Sequence, residues 1–374
     1  MTETSSTVAW SDATQSGLVN DKSRQSCRAD YKGVDSGLSM FSPSLIEEGI
    51  KREVPVEFFP ISAWQKSKPI DFHIPHSNSL YFDLSKSTIK MKVRILTQDG
   101  EPINPEHKVG FVNNIAQSLI NKMDFLLNGK LISPDVSVHF PYQQMLQILS
   151  YYPNDFLQTT AGCQGYAHDT AFFISTPSVT PNGENTGHFR RAMWGRHGQW
   201  IPLEMPLGHD LAYMNCFLPA HLPFTIRLWP SLDDFVLLSD EESPENFKYQ
   251  LSEVCLKLCG VEVTDEIISR HEAMLAKQMA VFHYQRSEIK SFTVPAHQLQ
   301  WSISSLFGGC LPYDCIVAFV STTSYLGNRS TSPFDFKHYF VQSLNLYIEN
   351  CPELVYNTSF KDQELDFVSA YRAL

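Results

Sequence analysis

Charge is scarce in this chain. Asp, Glu, Lys and Arg make up 18% of its 374 residues, below the usual quarter of a soluble domain. What charge there is leans acidic, with a net value of −11. That balance excludes a general grip on nucleic acid, which needs Lys and Arg to neutralise phosphates, and leaves room only for a local basic face. A low charge fraction suits a protein that hides much of its surface against other chains. Long apolar runs are missing too, so the sequence holds no membrane span. Met1 to Trp10 is polar and carries no basic segment followed by an apolar one, which speaks against a secretory signal and for an intracellular protein. The 8 cysteines are scattered. Cys255 and Cys259 form a C-x3-C pair and Cys310 and Cys315 lie further apart, but neither pair has the matching second pair of a zinc ribbon or finger. Buried free thiols in a reducing compartment are the expectation. Asn328 and Asn357 head glycosylation sequons, which mean little without a signal peptide.

What is present is β pattern. Aromatic content is 12%, led by 25 Phe, and such side chains fit pleated, half-buried surfaces. Ile89, Met91, Val93 and Ile95 alternate with Lys90, Lys92 and Arg94, the period of a half-buried antiparallel strand with a wet cationic face. Val54, Val56 and Phe58 open the ordered region. Asp99-Gly100 is a turn signal, and Asn128-Gly129 predicts a type I′ hairpin. Tyr142 to Tyr151 reads as a short helix ended by Pro153. Residues 154–198 read as a long irregular insertion. Strands resume at Trp200–Glu204, Phe217, Phe224–Trp229 and Phe235–Leu238, and Tyr249–Val263 makes a further long strand, or two joined by a bend at Gly260. Thr264 is placed to N-cap a helix with Asp265 and Glu266 in its first turn; Ile267, Ile268, His271, Met274 and Leu275 line one face. Beyond it come strands at Ser287–Val294, Ile316–Val320 and Ser343–Glu349.

Many short strands, long loops and little helix predict an all-β, antiparallel fold of sandwich or barrel type. Residues 1–50, rich in Ser, Thr, Asp and Gly, read as a flexible tail. Residues 51–264 carry about eight strands, enough for one jelly roll. Residues 265–280 form a linker helix. Residues 281–374 offer about four strands, half a sandwich with an open edge.

No catalytic spacing appears. There is no Gly-x-Ser-x-Gly elbow, and Gly129-Lys130 lacks the rest of a P-loop. His271-Glu272 begins like a metalloprotease helix, but Leu275 stands where the second His must be. His73 and His76, with Pro75 between them, read as loop histidines rather than a chelate. Asp71, Asp83 and Asp335 sit beside aromatics and suit turn-capping better than acid–base work. The sequence therefore predicts no enzyme, no catalytic residues, no cofactor and no metal. One constellation points to contact: Arg190, Arg191 and Arg196 cluster near Trp194, and Asp240-Glu241-Glu242-Ser243-Pro244-Glu245 is an acidic loop. The first could meet the second on a neighbouring copy; a solvated loop is the other reading.

Several blocks, in consistent order from Val54 to Leu374, resemble the major capsid proteins of Polinton/Maverick elements and adintovirus-like viruses. They are the Pro69–Leu84 block with its following strand, Asn128-Gly129 with the helix around Leu146–Tyr151, and the Pro333–Tyr339 block ahead of Ser343–Glu349. The resemblance implies a double jelly roll: two antiparallel β-sandwiches, joined by the helix at 265–279. Three copies would build a pseudo-hexagonal capsomer tiling an icosahedral shell around double-stranded DNA. Its partners would be copies of itself and penton or minor capsid proteins, and its place the virion capsid. Family members continue past Tyr371-Arg372-Ala373-Leu374, so the second roll is expected to be incomplete, with its closing strands truncated at the C-terminal end. The runner-up is a jelly roll retained by a host for carbohydrate, ligand or protein binding.

Overall fold

A computed structural model describes residues 4–13 and 49–368, apart from 78, 105–106, 133–138, 171–184, 215, 220, 240–245, 305, 307–311, 349–350, 362–363 and 367. In sequence order the strands are β1 (Thr4–Ala13), β2 (Ile50–Phe58), β3 (Ile70–Ile74), β4 (Leu80–Thr97), β5 (Val109–Phe111), β6 (Ile120–Leu127), β7 (Lys130–Leu131), β8 (Ile201–Pro206), β9 (Leu218–Pro219), β10 (Phe224–Pro230), β11 (Leu237–Ser239) and β12 (Phe247–Val263). They continue with β13 (Gln285–Val294), β14 (Asp314–Ser321), β15 (Ser343–Ile348), β16 (Cys351–Asn357), β17 (Ser359–Lys361) and β18 (Glu364–Asp366). The longer helices are α1 (Phe140–Tyr151), α2 (Thr186–Trp194) and α3 (Asp265–Leu275). Every ladder between these strands is antiparallel. The all-β expectation holds.

A five-stranded sheet, in which the short β9 pairs with the start of β4, and a four-stranded sheet form the first sandwich. One runs β2-β12-β4-β8 and the other β3-β10-β6-β7. Numbered as the first to eighth of these eight strands along the sequence, the orders are first-eighth-third-sixth and second-seventh-fourth-fifth. That is the pairing of a jelly roll, in which each sheet draws strands from both ends of the segment. Alternation builds the core. Ile89, Met91, Val93 and Ile95 of β4 are buried while Lys90 is exposed. Phe82 of β4 meets Phe224 of β10 edge-on at 5.7 Å between ring centroids, bridging the two sheets. Phe224 also stacks on Phe125 of β6 at 5.1 Å. Each fully buried side chain of this size contributes about 1.5–3 kcal/mol.

The Asn128-Gly129 turn is as expected. Its φ values are 48° and 76°, both positive as a type I′ turn requires, and Leu127 pairs with Lys130 across it. The long last strand of the roll is a single strand running through Gly260, the first of the two readings. It bulges at Glu253, whose φ is 50°. There Ser252 pairs with Lys92 and Cys255 with Lys90, so Glu253 and Val254 face Met91 alone. Gly260 serves close packing, since a Cβ there would lie 2.9 Å from the Val54 carbonyl oxygen. β4 bulges in turn over Leu84–Ser87. Asp83 holds that excursion by accepting from the Ser85 amide at 3.0 Å, the local role expected of it. Asp71 does not cap a turn. It lies within β3 and takes a two-pronged grip from Arg227 of β10, at 2.8 and 2.9 Å.

Helix α3 follows β12, but Thr264 makes no side-chain capping bond, and the helix stops at Leu275. Ile267 and Ile268 pack on Tyr81, Val261 and Val263, while His271 Nδ1 lies 2.9 Å from the Tyr81 hydroxyl. Beyond α3 the described buried apolar residues are Ile289, Ala318, Val320 and Phe334. This part is a three-stranded sheet, β13-β1-β14, with the separate pairs β15-β16 and β17-β18. Among the described residues it falls well short of a second closed sandwich. Within the stretch read as a tail, Thr4–Ala13 is the middle strand of that sheet. A strand bonded on both sides satisfies its backbone without a hydrophobic pattern, which is why composition hides it.

Candidate assembly surface

Helix α2 falls inside the stretch expected to be irregular. Asn185 caps it, its side-chain oxygen accepting from the His188 amide at 3.2 Å. The helix escapes a periodicity test because its buried face is polar, made of His188 and Arg191.

Arg191 is 2% exposed and every guanidinium nitrogen has a partner. Nη2 donates to Asp169 Oδ1 at 2.9 Å and Oδ2 at 3.3 Å. Nε donates to the Phe111 carbonyl at 3.1 Å and Nη1 to the Ala167 carbonyl at 3.0 Å. Asn113 completes the network, donating to Asp169 Oδ2 at 3.0 Å. Burial lowers the affinity of Arg191 for its proton, and Asp169 opposes that. Beside it, burial and the Arg191 cation push His188 down to about 3. Its ring is neutral at ordinary pH, and neither ring nitrogen has a hydrogen-bond partner among the described residues.

Arg191 therefore leaves the surface cluster that the sequence suggests. Its charge is consumed in tying α2 to β5 and to residues 167–169. Arg190 points outward, and Arg196 is half-buried with Nη1 3.5 Å from Met193 Sδ. Met193 and Trp200 are 39% and 37% exposed. The Arg94 guanidinium lies 4.4 Å from the Trp200 ring centroid. The outer face of α2 and the turn after it thus present Arg190, Met193 and Arg196, with the Arg94–Trp200 stack further along the sequence. Asp240, Glu241 and Glu242 lie outside the described residues.

A second junction is invisible in the sequence. Tyr142 of α1 stacks on Tyr325 at 5.5 Å and meets Phe334 edge-on at 5.7 Å. Phe334 also sits edge-on to Phe235 at 6.1 Å. Arg329 pairs with Asp234 at 2.6 Å and donates to the Phe247 carbonyl at 2.9 Å. These contacts fasten the segment after β14 to the first sandwich. The signal available is the aromatic density of Pro333–Tyr339, but its target lies far away in sequence.

No family model matches this protein. An uncharacterized Caenorhabditis elegans protein, F54H12.2, is 21% identical over 322 residues, covering 83% of this chain and 73% of that one. Among solved structures, the protein is similar to one in the Sputnik virophage structure, with a TM-score of 0.42 and 13% identity over 67% of this chain and 53% of that one. It is similar to the mavirus major capsid protein, with a TM-score of 0.34 and 11% identity over 68% of this chain and 53% of that one. A third is the Faustovirus major capsid protein, with a TM-score of 0.33 and 10% identity over 68% and 63%. The chain spans about half the length of the first two.

Among the described residues no three His, Cys, Asp or Glu side chains gather as a metal site, and no helix is long and apolar enough to cross a membrane. His73 lies on β3, with Nδ1 3.3 Å from Thr225 Oγ1. The described cysteines Cys163, Cys216, Cys255, Cys259 and Cys315 are free thiols. Burial raises the Cys255 and Cys259 thiols, which makes them poor nucleophiles.

Proposed function

We propose that this protein is a structural protein of the capsid type, related to the Polinton/Maverick kind, and that it works by self-association. The observation that carries the reading is the jelly-roll strand order of residues 50–263, in a sandwich whose interior is filled by Phe72, Phe82, Phe125 and Phe224. The sequence blocks resembling that family support it. In this reading three copies make a capsomer and many modest interfaces act together, so avidity supplies the binding energy. Arg190 and Arg196 would face the acidic run at 240–245 of a neighbouring copy, with penton or minor capsid proteins filling the remaining positions of the shell.

The test is solution mass by light scattering across a concentration series. Trimers or larger particles are expected, and the double variant Arg190→Glu/Arg196→Glu should shift the series toward monomer. A strictly monomeric protein at high concentration would overturn the proposal.

A further inference from the structure

The largest sheet of the first roll and the three-stranded sheet β13-β1-β14 share a detail. In the first roll, β12 lies between β2 and β4 and is antiparallel to both. In the second sheet, β1 lies between β13 and β14 and is antiparallel to both. The middle position, held in the first roll by its last strand, is held in the second by a strand from the far end of the sequence.

Among the described residues β1 is the one strand that joins the other two strands of the second sheet. β13 and β14 form no ladder with each other, and no described strand after β14 joins them. Their facing edges are bridged by the ladders of β1. The pairing with β13 runs from Thr4↔Val294 to Ala13↔Gln285, and that with β14 from Thr4↔Ser321 to Ser11↔Asp314, neither with a register shift. The inserted sequence suits the position. It holds neither Gly nor Pro, carries one charge at Asp12, and places Thr7, Val8 and Trp10 along its length. Unfilled, the two edges would present rows of unpaired N–H and C=O groups, a ready template for another strand.

We infer that the groove between β13 and β14 is a strand-acceptor site for an extended peptide, and that its occupant is Thr4–Ala13 of the same molecule. Recognition is by backbone pairing on both sides of the inserted strand, a doubled form of β-strand addition. The occupant keeps the second sheet from recruiting a strand of a neighbouring copy. The inference goes beyond the assembly reading and stands apart from it, because its readout is connectivity within one molecule.

The sheet carries a natural reporter. Trp10 stands opposite Cys315, and directly opposed antiparallel residues have Cα atoms about 4.5–5.5 Å apart, within the reach of a disulfide. Burial and Asp314 push the Cys315 thiol up to about 11, so oxidation with copper–phenanthroline is preferred to thiol exchange, which needs the thiolate. Dilute full-length Trp10→Cys protein is oxidised, and its disulfides are mapped by peptide mass. The expected product is a monomer with position 10 linked to Cys315, at least tenfold enriched over the same oxidation of Ser6→Cys. Position 6 is paired with Phe319 and is out of reach of Cys315. Equal yields from the two variants would overturn the inference, and so would linkage found only between molecules.

A second measurement uses a protein lacking residues 2–13 and a fluorescent peptide of residues 3–14. Saturable binding is expected, weakened at least tenfold by Val8→Pro in the peptide, since proline can neither donate to a central ladder nor fit within it. A folded truncated protein that ignores the peptide would refute the acceptor site. If truncation prevents folding, the cross-link in the full-length protein decides alone.

Discussion

Arg191 and Asp169 form a buried ion pair, with Nη2 and Oδ1 at 2.9 Å and side-chain exposures of 2% and 9%. A charge so deep is tolerated because all of its hydrogen-bonding nitrogens are met by Asp169 and two backbone carbonyls. Arg191→Leu leaves Asp169 without its cation and should cost about 3–5 kcal/mol of unfolding free energy. Replacing both partners with apolar residues of similar volume should cost far less. Urea denaturation of the two variants checks this, and a loss below about 1 kcal/mol for Arg191→Leu, the scale of a surface pair, would mean that the pair is solvated.

Acid should unfold the first sandwich through its buried histidines. Burial and the Arg191 cation hold His188 at about 3, and burial holds His209 at about 4 against the opposing pull of Asp124. Both lie below the 6.5 of a free histidine. A depressed folded value means that the unfolded protein binds more protons below 6.5. Stability is therefore fully present above that pH and is lost as pH falls toward 3. For His188 alone the loss at pH 4 is roughly 3 kcal/mol. His188→Leu should flatten the acid limb by that amount and change neutral stability little, because the ring nitrogens have no described partner to lose. Thermal melts between pH 4 and pH 8 would measure it; an acid limb unchanged in the variant refutes the assignment.

Much of this architecture is legible in the sequence, and the parts that are not share a physical cause. Ile89 to Ile95 and Asn128-Gly129 can be read directly because each signal is local: alternation against one core, and positive φ at a turn. Helix α2 is hidden because Arg191 and His188 occupy the face where periodicity looks for Leu or Ile. The bulge at Glu253 is hidden because a non-glycine at positive φ carries no composition signal. Strand β1 is hidden because a strand held on both edges by backbone bonds needs no apolar stripe. The basic cluster is half legible: the spacing of Arg190, Arg191 and Arg196 is plain, but which one turns inward depends on Asp169, too distant in sequence to pair by pattern.

The junction between the first sandwich and the segment after β14 should come apart separately from the sandwich itself. Phe334 is 3% exposed and packs on Tyr142 and Phe235. Phe334→Ala removes that ring and leaves a cavity, a change worth about 3–5 kcal/mol in a well-packed core. The expected outcome is faster amide exchange across residues 325–336 with β6 and β10 unchanged. Uniform acceleration across the whole protein would show instead that the two parts unfold as one unit.

Two glycines allow steric and conformational costs to be separated. A Cβ at Gly187, in α2, would fall 2.3 Å from the His168 carbonyl oxygen, a backbone atom that cannot rotate away. A Cβ at Gly129 meets nothing within 4 Å, but the residue sits at φ +76°. Helix propensity alone favours Ala at position 187 by about 1 kcal/mol. The clash should outweigh that gain, because moving α2 off residues 167–169 also strains the Arg191–Asp169 pair that lies one helical turn further on. Gly187→Ala is therefore expected to destabilise by roughly 1–3 kcal/mol. Gly129→Ala should cost about 1–2 kcal/mol through left-handed strain alone. Combined with Arg191→Leu, Gly187→Ala should add less than its single effect, since both act on the same contact, while Gly129→Ala should add in full. Denaturation midpoints of these single and double variants test this; strict additivity for Gly187→Ala with Arg191→Leu would separate the glycine from the ion pair.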